Sequence, residues 1–311
     1  MNLFDKNLVV VAGKGGVGRT TVAAAFAMAA ARRGKRVLLA QTRSKDRLPT
    51  LLGGPRLGSE ITPMRDNLWA VNMHPEAALH EYGVMILRSE VIYRAVFENK
   101  VSRAFLRAIP GLDDYSLIGK VWYHSTETIG SRPRFDLIVF DGPATGHAIT
   151  LLQIPRAILD AVPEGPLTRD ARTMRAWLTD PVRSAAVIVT LAEEMPVNET
   201  IELADKLTKK VGIPLGPLVI NQLYPPRFVT GPSARALDML PETTGDALLD
   251  PLLVRSRIAM RRRRLNDRYL ARLQETLPLP QVQVPYLFAP EFRVEQVEDL
   301  SRRLEGQLLA L

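Results

Sequence analysis

Apolar positions along the chain fall into short unbroken runs separated by long stretches with helical spacing. The first two runs, NLVVVAG (7–13) and RVLLAQT (36–42), flank the Ala-rich stretch TTVAAAFAMAAARRG (20–34), which closes on Gly34. Runs of strand length without alternation suit strands buried on both faces, and a helix-length stretch stopped by glycine suits the crossover between them. The chain is therefore expected to open as strand–loop–helix–strand. FDLIVFDGP (135–143), SAAVIVTLAEE (184–194) and GPLVINQ (216–222) are runs of the same kind, and QVQVPYLF (281–288) supplies a last candidate. Apolar strands alternating with helices predict an α/β fold, a doubly wound and mostly parallel sheet covered on both faces.

Two stretches between the strands carry helical spacing only, about 76–130 and 153–180. In VMILRSEVIYRAVF (84–97), Val84, Leu87, Val91 and Ala95 share one face, while Met85, Ile86, Ile92, Val96 and Phe97 spread the apolar surface beyond it. One stripe could pack inward while another faces a client, but plain core packing within a helical subdomain accounts for the same pattern and is the simpler reading. These stretches are expected to form a helical subdomain inserted into a single domain spanning 1–311, because no repeat and no low-complexity linker divides the chain. A third helical stretch (252–277) contains Arg261–Arg264, whose consecutive side chains point all around a helix. Leu265, Tyr269 and Leu273, four apart, give it a buried edge, so it reads as a solvated amphipathic helix more than as a nucleic-acid face.

Composition narrows the chemistry. The 311 residues are 46% hydrophobic and 24% charged, ordinary for a soluble globular protein. No apolar run reaches the roughly 18–20 residues that cross a bilayer, and the first residues lack the pattern of a signal peptide, so a cytoplasmic location is expected. Without cysteine there is no disulfide, thiol nucleophile or thiolate metal site, and His74, His80, His124 and His147 show no metal-ligand spacing. A formal net charge of +8 favours anionic partners without selecting one.

The chemistry-bearing stretch is GKGGVGRTT (13–21). Gly13 to Thr20 fit the phosphate-loop pattern G-x-x-x-x-G-K-[S/T], except that Arg19 stands where lysine is usual. Gly13, Gly15, Gly16 and Gly18, with Val17 among them, let successive N–H groups curl toward phosphate oxygens at the positive end of the following helix. Thr20 is expected to ligate Mg²⁺, and Thr21 to reach a further phosphate oxygen. Arg19 keeps the positive charge, but its planar fork is broader than an ammonium, so binding is expected to survive better than catalysis.

Lys14 within GKGGVG resembles the signature lysine of the deviant phosphate-loop ATPases, the group of MinD, ParA, nitrogenase iron protein and ArsA. FDLIVFDGPATGHAITLLQIP (135–155) resembles the switch II segment of the ArsA and Get-type (tail-anchored-protein targeting) ATPases. IPGLDD (109–114), TLAEEMPVNETIEL (190–203), VINQL (219–223) and VPYLFAPEF (284–292) resemble further segments of that branch, so the likeness runs along most of the chain. The resemblance implies ATP or ADP with Mg²⁺ as ligands, Lys14 reaching a partner protomer's nucleotide, and Asp141 orienting the metal's water shell. It implies that Asn221 reads adenine and that Pro285 lies in the loop closing over the base. His147 becomes a transmitter of the switch segment's state.

The departures from that branch matter as much. After the second strand the branch carries D-P-A-H, whose Asp positions the attacking water; TRSKD (42–46) puts Arg43 there, with Asp46 three residues on as a possible substitute. Arg19 and Arg43 together imply that nucleotide is held more readily than hydrolysed. The expected protein is a dimeric nucleotide switch with weak or partner-dependent hydrolysis, a homodimer or a heterodimer with an active paralogue, and an apolar helix or membrane protein as client. The alternative is a ParA- or MinD-like scaffold on DNA or membrane; against the anionic-bilayer form of it stand Glu295, Glu298, Asp299 and Glu305 in the amphipathic C-terminal stretch.

Overall fold

The computed structural model describes residues 2–42, 47–75, 112–227 and 231–311, with positions 78, 84, 89 and 229. Its core is an eight-stranded sheet in the order β10-β9-β8-β1-β7-β2-β4-β3, parallel except for the β3–β4 pair. The strands are β1 (Leu8–Ala12), β2 (Val37–Thr42), β3 (Thr62–Arg65), β4 (Leu68–Met73), β7 (Leu137–Asp141), β8 (Ser184–Leu191), β9 (Leu215–Leu223) and β10 (Gln281–Pro285). The six strand runs read from the sequence are all present as β1, β2, β7, β8, β9 and β10. The β3–β4 hairpin was not among them: β3 is a short edge strand whose Thr62, Pro63 and Arg65 are not buried, so its apolar signal is weak. Two further two-residue strands, β5 (Thr128–Ile129) and β6 (Arg132–Pro133), form a small exposed hairpin at the end of the stretch expected to be helical throughout.

Helices cover both faces. α1 (Arg19–Arg32), α2 (Leu48–Leu52) and α9 (Val294–Leu309) lie on one side; the other carries α3 (Leu112–Thr126), α4 (Thr145–Ala161), α5 (Pro166–Thr179), α6 (Glu194–Lys206) and α8 (Leu249–Thr276). α7 (Gly231–Met239) joins α8 through a small separate cluster of Leu237, Leu253 and Met260. Every residue of α1 from Val22 to Ala31 is buried, because the helix is enclosed between the sheet and α9. Its alanines fit that sandwich: small side chains let the backbone approach closely, and alanine loses no side-chain entropy in a helix.

α4 and α5 cover the range read as the second helical insert, 153–180, and pack into the sheet's own core through Leu151, Ile154, Met174 and Trp177. Nearly all of 76–111 lies outside the described residues, and with it the two-stripe helix expected at 84–97. The arginine run on α8 is dispersed as the helical geometry requires: Arg262 pairs with Glu193, Arg263 with Asp267 and the Tyr224 carbonyl, and Arg264 with Asp238. Tyr269 and Leu273 form the buried edge. No helix among the described residues is long and apolar enough to cross a membrane.

One ion pair ties the starts of β2 and β7. Asp136, just before β7, accepts from the Arg36 backbone N–H at 2.8 Å and from its guanidinium at 2.9 Å, just before β2. Burial pushes the Asp136 carboxyl up, but the hydrogen bonds and charge of Arg36 outweigh it and hold the group below its ordinary 3.8. A depressed carboxylate contributes stability that is present above the unfolded-state value and lost as pH falls through the folded-state value. Asp136→Asn should therefore lower the melting temperature at pH 7, and the gap from the wild type should close below about pH 3.8 in a pH series of thermal melts.

Candidate functional site

β1 stands between β8 and β7, and the chain leaves it in one direction for β2 and returns later on the other side for β8. A crevice at the carboxyl end of such a reversal is where open α/β sheets bind ligands. The 13–18 loop fills it. Gly13 has φ 151°, and a Cβ there would stand 2.3 Å from the Val189 carbonyl oxygen of β8. Gly18 has φ 91°, and its Cβ would meet the Asn221 amide nitrogen at 2.3 Å. Both positions require glycine by conformation and by space. Gly15 and Gly16 face open space.

Asn221 is 5% exposed, and its contacts are with the protein. Its Nδ2 donates to the Val17 carbonyl at 2.9 Å, and its Oδ1 accepts from the Gln222 backbone N–H. The side chain thus fastens the loop to the end of β9 while still lining the cavity beside it. Gln222 follows with φ 58°, a left-handed backbone that only glycine adopts freely. That strain sits at the cavity wall and has no signature in residue type.

Thr20, in the first turn of α1, donates through Oγ1 to Asp141 Oδ2 at 2.6 Å. Asp141 ends β7 and is 5% exposed; its Oδ1 has no hydrogen-bond partner among the described residues. Burial pushes the carboxyl up, opposed by the Thr20 hydrogen bond and the charge of Arg19. Arg19 itself turns away from the loop interior: one terminal nitrogen donates to the carbonyls of Gly142, at 2.7 Å, and Pro143. Burial lowers its affinity for its proton, and attraction to Asp141 restores part of it. The residue in the lysine position therefore joins the phosphate loop directly to the turn after β7.

Two cavities meet at Arg19 and Thr20. The larger, about 720 Å³, runs over Gly16, Gly18 and Thr21 to Asn221, Pro285, Tyr286 and Phe292. The smaller, about 340 Å³, lies on the β7 side and is bounded by Thr42, Asp114, Asp141, Gly142, Pro143 and His147. Lys14 lies outside both linings and is paired with Glu199 of α6 at 2.5 Å, each about one-third exposed. Gly13, Gly15 and Val17 likewise build the loop without lining either space, Val17 being packed in the core below it. Arg43 and Asp46 lie outside the described residues. Glu199 and Asp114 both sit in stretches that resemble family segments, yet neither is separable from its acidic neighbours by sequence; only the fold brings them to Lys14 and to the smaller cavity.

The sheet order, the glycine cradle and the Thr20–Asp141 pair define a phosphate-loop nucleotide-binding protein of the α/β class. The chain belongs to the anion-transporting ATPase family, whose sequence model matches residues 6–164. It is 30% identical over 248 residues to ATPase BagA of Mycobacterium tuberculosis, covering 76% of this chain and 71% of that protein. The arsenical pump-driving ATPase of Acidiphilium multivorum is 27% identical over 332 residues, 96% of this chain and 55% of its own length. ATPase GET3 of Kluyveromyces lactis is 25% identical over 264 residues, 73% of this chain and 75% of that one.

Alanine at Gly13 and at Asn221 should destabilise to different degrees. Gly13→Ala forces a methyl against backbone and should destabilise the fold strongly, whereas Asn221→Ala should cost about 1–3 kcal/mol by leaving the buried Val17 carbonyl unpaired. Urea unfolding of the two variants and the wild type checks both. Removing the Asn221 amide should also relieve the crowding at position 18, so that Gly18→Ala is less harmful in the Asn221→Ala background.

Proposed function

We propose that the protein is a cytoplasmic, ATP-binding dimeric switch of the ArsA/Get type whose own hydrolysis is weak or depends on a partner. The observation that carries this reading is the pair of hydrogen bonds from Arg19 to the Gly142 and Pro143 carbonyls. They make the occupancy of the phosphate loop and the position of the switch turn mutually dependent. A γ-phosphate that attracts the guanidinium releases the turn; loss of that phosphate returns the guanidinium to the carbonyls.

In this reading ATP or ADP takes the larger cavity, its phosphates on the Gly13–Thr21 loop beside Gly16, Gly18, Thr20 and Thr21, which line it, and its base toward Asn221 and Pro285. Thr20 Oγ1 and the unbonded Oδ1 of Asp141 are oxygen donors of the kind Mg²⁺ takes, and the orphaned buried oxygen gains a partner when a cation is present. Bound Mg²⁺ supplies neutralisation of phosphate charge. In an arginine-for-lysine loop the broad fork is held by the switch turn in place of the phosphates, which favours retention over turnover.

Lys14 reaches a partner's nucleotide only after leaving Glu199, so the Lys14–Glu199 pair is the resting state of the dimer contact. The partner is a second copy or an active paralogue. An apolar helix or membrane protein is the client this family resemblance supports best, and the exposed Met239, Leu248 and Leu252 around the start of α8 offer apolar surface in keeping with it.

The purified chain should bind ATP–Mg²⁺ in titration calorimetry yet hydrolyse it slowly in steady-state assay. Lys14→Ala should preserve ATP binding by the monomer and remove ATP-dependent dimerisation in light scattering. Fast turnover by the homodimer, abolished by Lys14→Ala, contradicts the weak-subunit reading.

A further inference from the structure

The smaller cavity holds a carboxylate that the switch does not use. Asp114 lies in the first turn of α3, whose Tyr115 and Ile118 are buried in the core beside Phe140 of β7. That packing brings the start of the helix to the carboxyl end of β7, and Asp114 borders the same 340 Å³ space as Thr20, Asp141, Gly142 and His147. Arg19 and Thr20 line this space and the larger cavity alike. A nucleotide with its phosphates on the loop would therefore lie next to the space that Asp114 borders.

We infer that Asp114 is a catalytic residue for ATP hydrolysis, holding and deprotonating the attacking water in place of a carboxylate at position 43, which is arginine. This rests on the nucleotide reading above. In-line displacement needs the water on the side of the γ-phosphorus opposite the leaving ADP oxygen, and the smaller cavity is the space on that side. The water oxygen forms its bond to the γ-phosphorus while the bond from that phosphorus to the ADP oxygen breaks, its electron pair leaving with ADP. The water proton passes to the Asp114 carboxylate and from there to solvent, and the other product is inorganic phosphate. Asp141 is unsuited to this task because Thr20 occupies one oxygen and its other is buried at the strand end. His147 is exposed at the rim and borders the space without enclosing it.

The test is single-turnover hydrolysis of γ-labelled ATP by the full chain with Mg²⁺, followed over hours, beside fluorescent-ATP affinity for the same samples. Asp114→Asn should lower the rate constant roughly 100-fold while the ATP affinity stays within twofold of wild type. Asp114→Ala should recover part of its rate with added formate, a response that a purely structural aspartate does not give. Equal rates in Asp114→Asn and wild type, or a wild type that binds ATP and never hydrolyses it, overturns the assignment. So does a fall in rate that is matched by a fall in affinity and untouched by formate. Failure of the wild type to bind ATP at all is the separate result that removes the nucleotide reading itself.

Discussion

Asp141 is a carboxylate placed at the buried end of a central strand, with one oxygen bonded and the other bare. Burying such a group costs several kcal/mol unless hydrogen bonds or charge offset it. Here the offset comes from two consecutive residues, the hydroxyl of Thr20 and the charge of Arg19, so the first turn of α1 has to sit directly over the end of β7. That requirement explains the closely packed alanine helix, which no bulkier sequence would seat between sheet and α9, and the loop that must reverse within a few residues beneath Val189 and Asn221. The bare oxygen is a polar deficit among the described residues at the buried end of the strand.

Arginine at position 19 changes how this assembly communicates. A lysine ammonium is a compact charge suited to the phosphates alone, whereas the guanidinium spans from the loop to the carbonyls of Gly142 and Pro143. The loop and the turn are thus bonded to each other before any ligand arrives. Lys14 is in the same condition, satisfied by Glu199 on its own chain. Both cations of the loop are thus held by acceptors of the protein itself.

Much of this was legible in the chain itself. Unbroken apolar runs around an alanine-rich helix specify strands buried on both faces, and the glycine spacing of 13–18 specifies a loop of tight reversals; both are local properties of residue type. The Thr20–Asp141 contact was approached through motif positions 121 residues apart and is bonded in the fold. What residue type could not convey is which way long side chains turn. Arg19 reads as a phosphate ligand by position, yet its length lets it reach the switch carbonyls; Asn221 reads as a base-contacting amide, yet its first contact is the loop's own carbonyl. Asp114 and Glu199 stand among acidic neighbours and acquire meaning only from the helices that carry them. β3 escaped notice because an edge strand that is largely exposed lacks the apolar run that marks the others; β4 (Leu68–Met73) is buried beside β2, and its run was passed over.

The central claim is that phosphate on the loop is felt at the turn after β7 through Arg19. Amide hydrogen exchange with and without ATP–Mg²⁺ measures this directly. The account predicts altered protection in 142–147 together with 13–21, larger with ATP than with ADP, and confined to 13–21 when Arg19 is replaced by alanine. Binding of ATP that protects 13–21 while leaving 142–147 unchanged in the wild type would contradict it.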